Sequence, residues 1–300
     1  MEGYAHRDEM RTFIEHISDY AKKGDSSFLI IPQNGIELIV QGEDASNDMA
    51  TSYLNAIDAH GQEDLFYGYD DDNEATPEDT TNYLKDFLDL SKKADKTILV
   101  TDYVSAPEKM DRSYQSNTNA GYISFAADHR ELNNIPKYPA PIYAENVNNI
   151  EYIHQAKNFL YLINPEAFSA KEEFLGAIGA TNYDLLILDL FFNDGRVFSK
   201  EQINQLKRKA NGGRRLVIAY MSIGEAENYR YYWKEEWASN PPSWLDEENP
   251  NWKGNYKVRY WDSNWQHIIY GNTDSYLQKI ISAGFNGVYL DLVDAFEYYE

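Results

Sequence analysis

The sequence predicts an α/β fold, a single (β/α)8 TIM barrel formed by residues 1–300, and three observations point there. Eight short apolar runs recur along the chain. Most are near-continuous instead of alternating polar and apolar, as expected of parallel strands covered on both faces. Helical patterns fill the spaces between them, which is the alternation of a closed barrel. No glycine-rich fingerprint follows any run, and this argues against an open doubly wound sheet.

In chain order, the first helix is read from Met10–Ala21, where Phe13, Ile14, Ile17 and Ala21 share a stripe. The first strand is FLII at 28–31. The second is read at Leu65–Tyr67 in EDLFYGY. A helix over Pro77–Leu90 follows, with Thr76 as its N-cap and proline in its first turn. TILVTDY at 97–103 and GYISFA at 121–126 give the third and fourth strands. Residues 133–149 carry Pro136, Pro139 and Pro141 and read as a connector, ordered or semi-flexible. FLYLI at 159–163, LLILDL at 185–190 and LVIAYM at 216–221 continue the series. The helix at Lys200–Ala210 is closed by Asn211-Gly212-Gly213. An aromatic-rich insertion at about 237–270 includes Trp237, Trp244, Trp261 and Trp265, and in a barrel such an insertion is expected to decorate the active rim. A helix at Asp274–Ala283 ends at Gly284, and GVYLDL at 287–292 is the last strand.

Composition narrows the function. With 300 residues and 43% hydrophobic content, the chain can bury a sizeable core. Its 49 acidic against 27 basic residues give a net charge of −22, which repels phosphate backbones and makes nucleic acid an unfavourable partner. The chain has no cysteine, so thiolate catalysis and cysteine-held metals are excluded. No apolar run approaches the ~18 residues of a membrane span, and no signal peptide is visible at Met1. The histidines form no close pair, and Asp70-Asp71-Asp72 with Glu74 lacks the spacing of a calcium loop. Neither a metal nor a cofactor is expected.

Carboxylates cluster at strand ends: Asp102, Asp189 and Asp291 close apolar runs, Glu63 opens one, and Glu225 follows another. In a barrel those ends converge on one pocket, where unpaired carboxylates are costly to bury. Each has a structural alternative. Asp189 and Asp291 could cap helices or pair with cations, Asp102 could cap a loop, and Glu225 could pair with Arg230. Glu63 precedes its apparent strand and by position alone reads as a surface residue. Two separated carboxylates in an aromatic-lined cleft are the minimal equipment for glycoside hydrolysis, one as proton donor and the other as nucleophile or base. Tyr161, Tyr220, Tyr289, Trp233 and Trp261 are candidates for the aromatic wall.

FLIIPQNG at 28–35, EDLFYGY at 63–69, AYMSIGEAENYRYYW at 219–233, YWDSNWQ at 260–266 and GFNGVYLDLVDAFEY at 284–298 together resemble the endo-α-1,4-polygalactosaminidase family and its uncharacterised barrel relatives. The resemblance covers nearly the whole chain, but in rearranged order. The family barrel begins with the strand matched by Phe159–Ile163, so the sequence resembles a circular permutant, with the strand at 287 beside the strand at 28 and the old ends joined through 133–149. The resemblance implies Asp291 as nucleophile and Glu63 as general acid/base, with Asp189 or another acid holding the proton on Glu63. Asp189, Asp102, Gln33, Asn34, Tyr161, Tyr220, Glu225 and Trp261 would line the substrate pocket. Asn286 stands where the family commonly has Asp, and a turn role is expected for it. The implied activity is cleavage of an α-linked galactosamine polysaccharide, with retention, in a family that is often secreted. The alternative is a carbohydrate-binding barrel with little turnover, and a phosphometabolite enzyme is disfavoured by the lack of glycine-rich loops after the last family strands. Oligomeric state is left open.

Overall fold

The computed structural model describes residues 3–300, and its parallel strands run in the order the permutation requires. Strands β1 (Leu29–Pro32), β2 (Ala59–Glu63), β3 (Thr97–Tyr103), β4 (Ile123–Ala127), β5 (Phe159–Leu162), β6 (Leu185–Leu188) and β7 (Leu216–Ser222) are followed by β8 (Glu225–Glu227), β9 (Leu245–Glu248) and β10 (Asn255–Val258), and then by β11 (Gly287–Asp291). One parallel ladder runs β5-β6-β7-β11-β1 and a second runs β2-β3-β4. The decisive pair is β11 with β1, in register from Leu29 opposite Gly287 to Pro32 opposite Leu290. The two ladders join where Gln33 bridges Gly61 and the Asn34 N–H donates to the Gly61 carbonyl at 2.9 Å. At the opposite seam Phe125 of β4 packs on Phe159 of β5, with ring centroids 5.8 Å apart. The protein is a circularly permuted (β/α)8 barrel.

Helices α1 (Gly3–Gly24), α2 (Thr51–Ala56), α3 (Glu78–Lys93), α4 (Pro107–Ala120), α5 (Lys171–Gly179), α6 (Lys200–Leu206), α7 (Ser263–Ile269) and α8 (Tyr276–Ala283) accompany the strands. Their apolar stripes are the ones the spacing predicts. Met10, Phe13, Ile14, Ile17 and Ala21 of α1 are buried, as are Tyr276, Leu277, Ile280 and Ala283 of α8. Gly284, at φ 82°, ends α8 in the left-handed region that glycine enters without strain. Among the described residues no helix is long and apolar enough to cross a membrane.

Three expectations need correction, and one open reading is settled. The second strand is Ala59–Glu63, AHGQE, and Leu65–Tyr67 lies in the loop after it. The strand carries little apolar signal because part of its inward face is glycine. A Cβ on Gly61 would stand 2.1 Å from the Tyr289 hydroxyl oxygen, so only glycine lets that ring cross the barrel. Thr76 does not cap α3. Its hydroxyl donates instead to the Asp64 carbonyl at 2.7 Å, and Pro77 occupies the cap position. Helix α6 stops at Leu206, short of Ala210, because the following turn carries Lys209 inward. The connector at 133–149 is ordered at Asn146, where its carboxamide donates to Asp184 at 2.8 Å and its backbone carbonyl accepts from Lys209 at 2.9 Å.

The Asp184–Lys209 pair, 2.9 Å apart with both side chains fully buried, therefore fastens the segment that closes the permuted order. Removing one partner of such a pair strands a charge in a dry site. Lys209→Met should lower the unfolding free energy by about 3–5 kcal/mol, seen as a fall in the urea midpoint. Adding Asp184→Asn to that variant should restore part of the loss.

Candidate active site

Strand ends supply the central side chains of the mouth. The residues after β1 are Gln33 and Asn34, β2 ends on Glu63, and β11 ends on Asp291. Each turns sharply into the loop that follows, since Asn34 (φ 58°), Asp64 (φ 58°) and Leu292 (φ 57°) all take left-handed backbone. That conformation is unusual for a branched apolar residue such as Leu292. It brings the Leu292 N–H back onto Asp291 Oδ1 at 2.8 Å.

The two carboxylates meet on one amide. Gln33 Nε2 donates to Glu63 Oε2 at 2.5 Å and to Asp291 Oδ1 at 3.2 Å, while its Oε1 accepts from the Tyr161 hydroxyl at 3.1 Å. The two oxygens are thus closer together than the sum of those distances, inside the separation of roughly 6.5–9.5 Å that an inverting pair leaves for water. Asn34 Nδ2 adds a donor to Glu63 Oε2 at 3.1 Å. Tyr103 donates to Glu63 Oε1, and Tyr220 donates to Asp291 Oδ2 at 2.7 Å. Burial, the largest cause for each, pushes both carboxyls up, Asp291 to about 7, with the charge of Glu63 adding to the rise at Asp291 and that of Asp64 to the rise at Glu63.

The pair is a joint titration with one proton between them. Each carboxyl has one oxygen held by N–H donors that cannot reverse, Glu63 Oε2 by Gln33 and Asn34 and Asp291 Oδ1 by Gln33 and the Leu292 N–H. The other oxygen of each meets a tyrosine hydroxyl, which can accept as readily as it donates. Either carboxyl can therefore carry the proton and pass a hydrogen bond to its tyrosine, Glu63 to Tyr103 or Asp291 to Tyr220.

A cavity of ≈ 490 Å³ opens over this pair, lined also by Asp189, Tyr220, Glu225, Trp252 and Asp294. Of the residues read from the sequence, Glu63, Asp291, Gln33, Asn34, Tyr161, Tyr220, Asp189 and Glu225 all line it. Asp189 does not hold the proton of Glu63. It pairs with Arg230 (Nη2 to Oδ2, 2.8 Å) and accepts from the Phe191 N–H at 2.7 Å. Arg230 also grips Glu227 at 2.5 Å, so its partners are Asp189 and Glu227 and not Glu225. Glu225 accepts instead from Asn249 at 2.8 Å and leaves Oε2 without a partner.

Asp102 and Trp261 are brought elsewhere. Asp102 is fully buried behind β3, where it accepts from the Phe66 and Tyr67 N–H groups at 2.9 and 3.2 Å, from the Ser113 hydroxyl and from Asn117. It braces the loop after Glu63 against α4. Trp261 packs on His6 and Tyr299, with centroids 4.7 and 4.8 Å away. Trp233, Trp237, Trp244 and Trp265 form the insertion's own core, with rings 5.0 to 5.3 Å apart and the Trp265 indole N–H donating to the Ile223 carbonyl at 2.9 Å. The exposed aromatics at the rim include Tyr229 and Trp252, the latter on the turn between β9 and β10. Asn286 reaches beyond the turn role expected of it: from the bend before β11 its Oδ1 accepts from the Val217 N–H of β7 at 3.0 Å.

The sequence reading passed over Tyr103 and Arg130. The guanidinium of Arg130 lies 3.9 Å above the Tyr103 ring, and it bonds Asp64 at 3.1 Å and Asp72 at 2.7 Å. Strand parity was the available signal, since Tyr103 and Asp102 are adjacent and must point to opposite faces.

The sequence profile of glycoside-hydrolase family GH114 matches residues 145–299. That stretch contains Asp189, Tyr220, Glu225 and Asp291, whereas Gln33 and Glu63 reach the same cavity from outside it. An uncharacterized protein of Methanocaldococcus jannaschii is 43% identical over 159 residues, covering 52% of this chain and 42% of that protein. Uncharacterized proteins of Thermotoga maritima and Deinococcus radiodurans are 40% and 41% identical over 122 and 123 residues, each match covering 41% of this chain and 36% and 37% of theirs. The matches thus span less than half the length of these curated relatives.

The raised carboxyl pair has a stability signature. A carboxyl whose folded pKa lies above its unfolded value stabilises the fold below the unfolded value, and that contribution is lost as pH rises through the folded one. Because the two carboxyls titrate jointly, Asp291 lifted from 3.8 to about 7 and Glu63 lifted as well, wild-type stability should fall as pH rises through that range. Asp291→Asn should flatten that decline and be the more stable protein at pH 8, by on the order of 1 kcal/mol or more. Urea midpoints from pH 4.5 to 8, taken as an experimental range of about that width, give the comparison.

Proposed function

The chain belongs to glycoside-hydrolase family GH114, and on that premise we propose that it cleaves an α-linked galactosamine polysaccharide with retention of configuration. Asp291 attacks the anomeric carbon while Glu63 gives its proton to the departing glycosidic oxygen. The C–O bond to the leaving sugar breaks as the ester to Asp291 forms. Glu63, now ionised, then takes a proton from water as that water displaces Asp291 and restores both carboxyls. Tyr220 and the Leu292 N–H hold the nucleophile, and Tyr103, Gln33 and Asn34 hold the acid.

The observation that carries this reading is the single Gln33 amide shared by both carboxylates. It holds them closer together than the roughly 6.5–9.5 Å of an inverting pair, which supports retention. The net charge of −22 favours a cationic, de-N-acetylated polymer over a neutral or anionic one.

Reducing-end release from de-N-acetylated galactosaminan is the direct assay. The purified protein should release ends, Glu63→Gln should lose about 10²–10⁴-fold in kcat, and Asp291→Asn should lose at least as much, both with unchanged far-UV circular dichroism. Turnover that survives either change removes that residue from the mechanism. Binding of the polymer without turnover in the wild type would make the protein a carbohydrate-binding barrel.

A further inference from the structure

A second cavity, of ≈ 370 Å³, lies on the far side of Glu63. It shares Asn34, Glu63 and Asp294 with the first cavity, but Asp291 does not line it. One cavity therefore touches both carboxylates and the other touches the acid/base alone. In a retaining pair the sugar that is attacked must sit on the nucleophile, and the sugar that departs must lie beyond the acid that protonates its oxygen. We propose that this second cavity receives the leaving-group side of the polymer, and that it binds a cationic amino-sugar unit there.

The chemistry of the wall selects that ligand. Glu37, Asp64, Asp294 and Glu297 join Glu63 in lining it, and no lysine or arginine does. The first cavity, by contrast, is lined by Arg130, Arg230 and Lys253 among its acids. Tyr69 and Tyr83 stand 55% and 46% exposed at its edge, presenting faces on which a sugar ring can lie. Tyr83 is steadied by donating its hydroxyl to Glu37 at 2.9 Å. Gln62, only 5% exposed, lines the same cavity and leaves its side-chain carbonyl oxygen without a partner. A buried acceptor with no donor is a cost that a ligand hydroxyl or ammonium can relieve.

The inference rests on the role proposed for Glu63, and its test separates the two. Tyr69 and Glu297 are exposed, so the double variant Tyr69→Ala/Glu297→Gln should fold, which the thermal midpoint verifies. Two substrates are compared: an α-1,4-linked galactosamine oligosaccharide, and an aryl α-galactosaminide whose good leaving group needs no sugar in the second cavity. The variant should lower kcat/KM on the oligosaccharide about tenfold or more relative to its effect on the aryl glycoside. Equal losses on both substrates, or no loss on either, overturn the inference while leaving the hydrolase reading standing. Should the wild type hydrolyse neither substrate, the hydrolase reading fails and calorimetry with the same oligosaccharide decides the cavity. Binding weakened about tenfold by the variant supports the cavity as an amino-sugar site, and unchanged or absent binding overturns it.

Discussion

Everything at the mouth of this barrel depends on two half-buried carboxylates sharing one amide. Glu63 and Asp291 come from strands that are not neighbours, since β1 lies between β11 and β2. Gln33, at the end of that intervening strand, is the group placed to reach both. Two carboxylates this close cannot both ionise cheaply, so the fold must hold one proton between them and supply donors to the remaining charge. It does so with fixed groups: the strand ends, three left-handed turns and a set of tyrosine hydroxyls. The outer ring of support is equally specific. Arg130 holds Tyr103 from above, Asp102 braces the loop after Glu63 from behind, and Arg230 neutralises Asp189 and Glu227 at the opposite wall.

Chain order enters this arrangement only through the loops. A barrel needs each strand beside its correct neighbours, and β11 pairs with β1 although almost the whole chain separates them. The rearrangement calls for a fastened connector where the old ends are joined, which Asn146, Asp184 and Lys209 provide. It also calls for contact between the segments flanking the new break. Arg7 meets Glu300 through two hydrogen bonds of 2.8 and 3.0 Å and lies over the Phe296 ring. Trp261, which the sequence suggested as a sugar platform, belongs to this junction through His6 and Tyr299.

Seven of the eight barrel strands were legible because their composition is that of buried parallel strands. The eighth, AHGQE, was not, because glycine replaces bulk where Tyr289 crosses the barrel and because His60 and Gln62 are polar. Misplacing it by a few residues made Glu63 look like a surface acid, when it in fact ends its strand as Asp291 does. The same issue of register separates Asp102 from Tyr103. Strand composition announces that an acid lies at a strand end, but only the pleat decides whether it faces the pocket or the helices. The insertion does reach the rim, through Trp252, Lys253 and Asn255, but other tryptophans of it pack inward. A small antiparallel sheet such as β8-β10-β9 needs a core of its own, and Trp237, Trp244 and Trp265 are that core.

Asp291 lies close to the rearranged junction, and a shift of about an ångström there would take its carboxylate out of the pair. The residues that follow it oppose such a shift. Val293, Ala295 and Phe296 are buried, so the short helix after Asp291 is anchored in the core within two residues of the carboxylate. Gly224 lies against it so closely that a Cβ there would stand 2.2 Å from the Leu292 carbonyl oxygen, and this contact clamps the left-handed turn from the side of β7. The Ile223 N–H donates to the Asp291 carbonyl at 3.1 Å, which ties the strand end itself to its neighbour. The position of the Asp291 carboxylate is therefore set by β7 and the core beneath the turn, and it does not depend on the outer contact between Arg7 and Glu300. A barrel can be rearranged near a working residue when the ladder and the packing around that residue lie on the side away from the break.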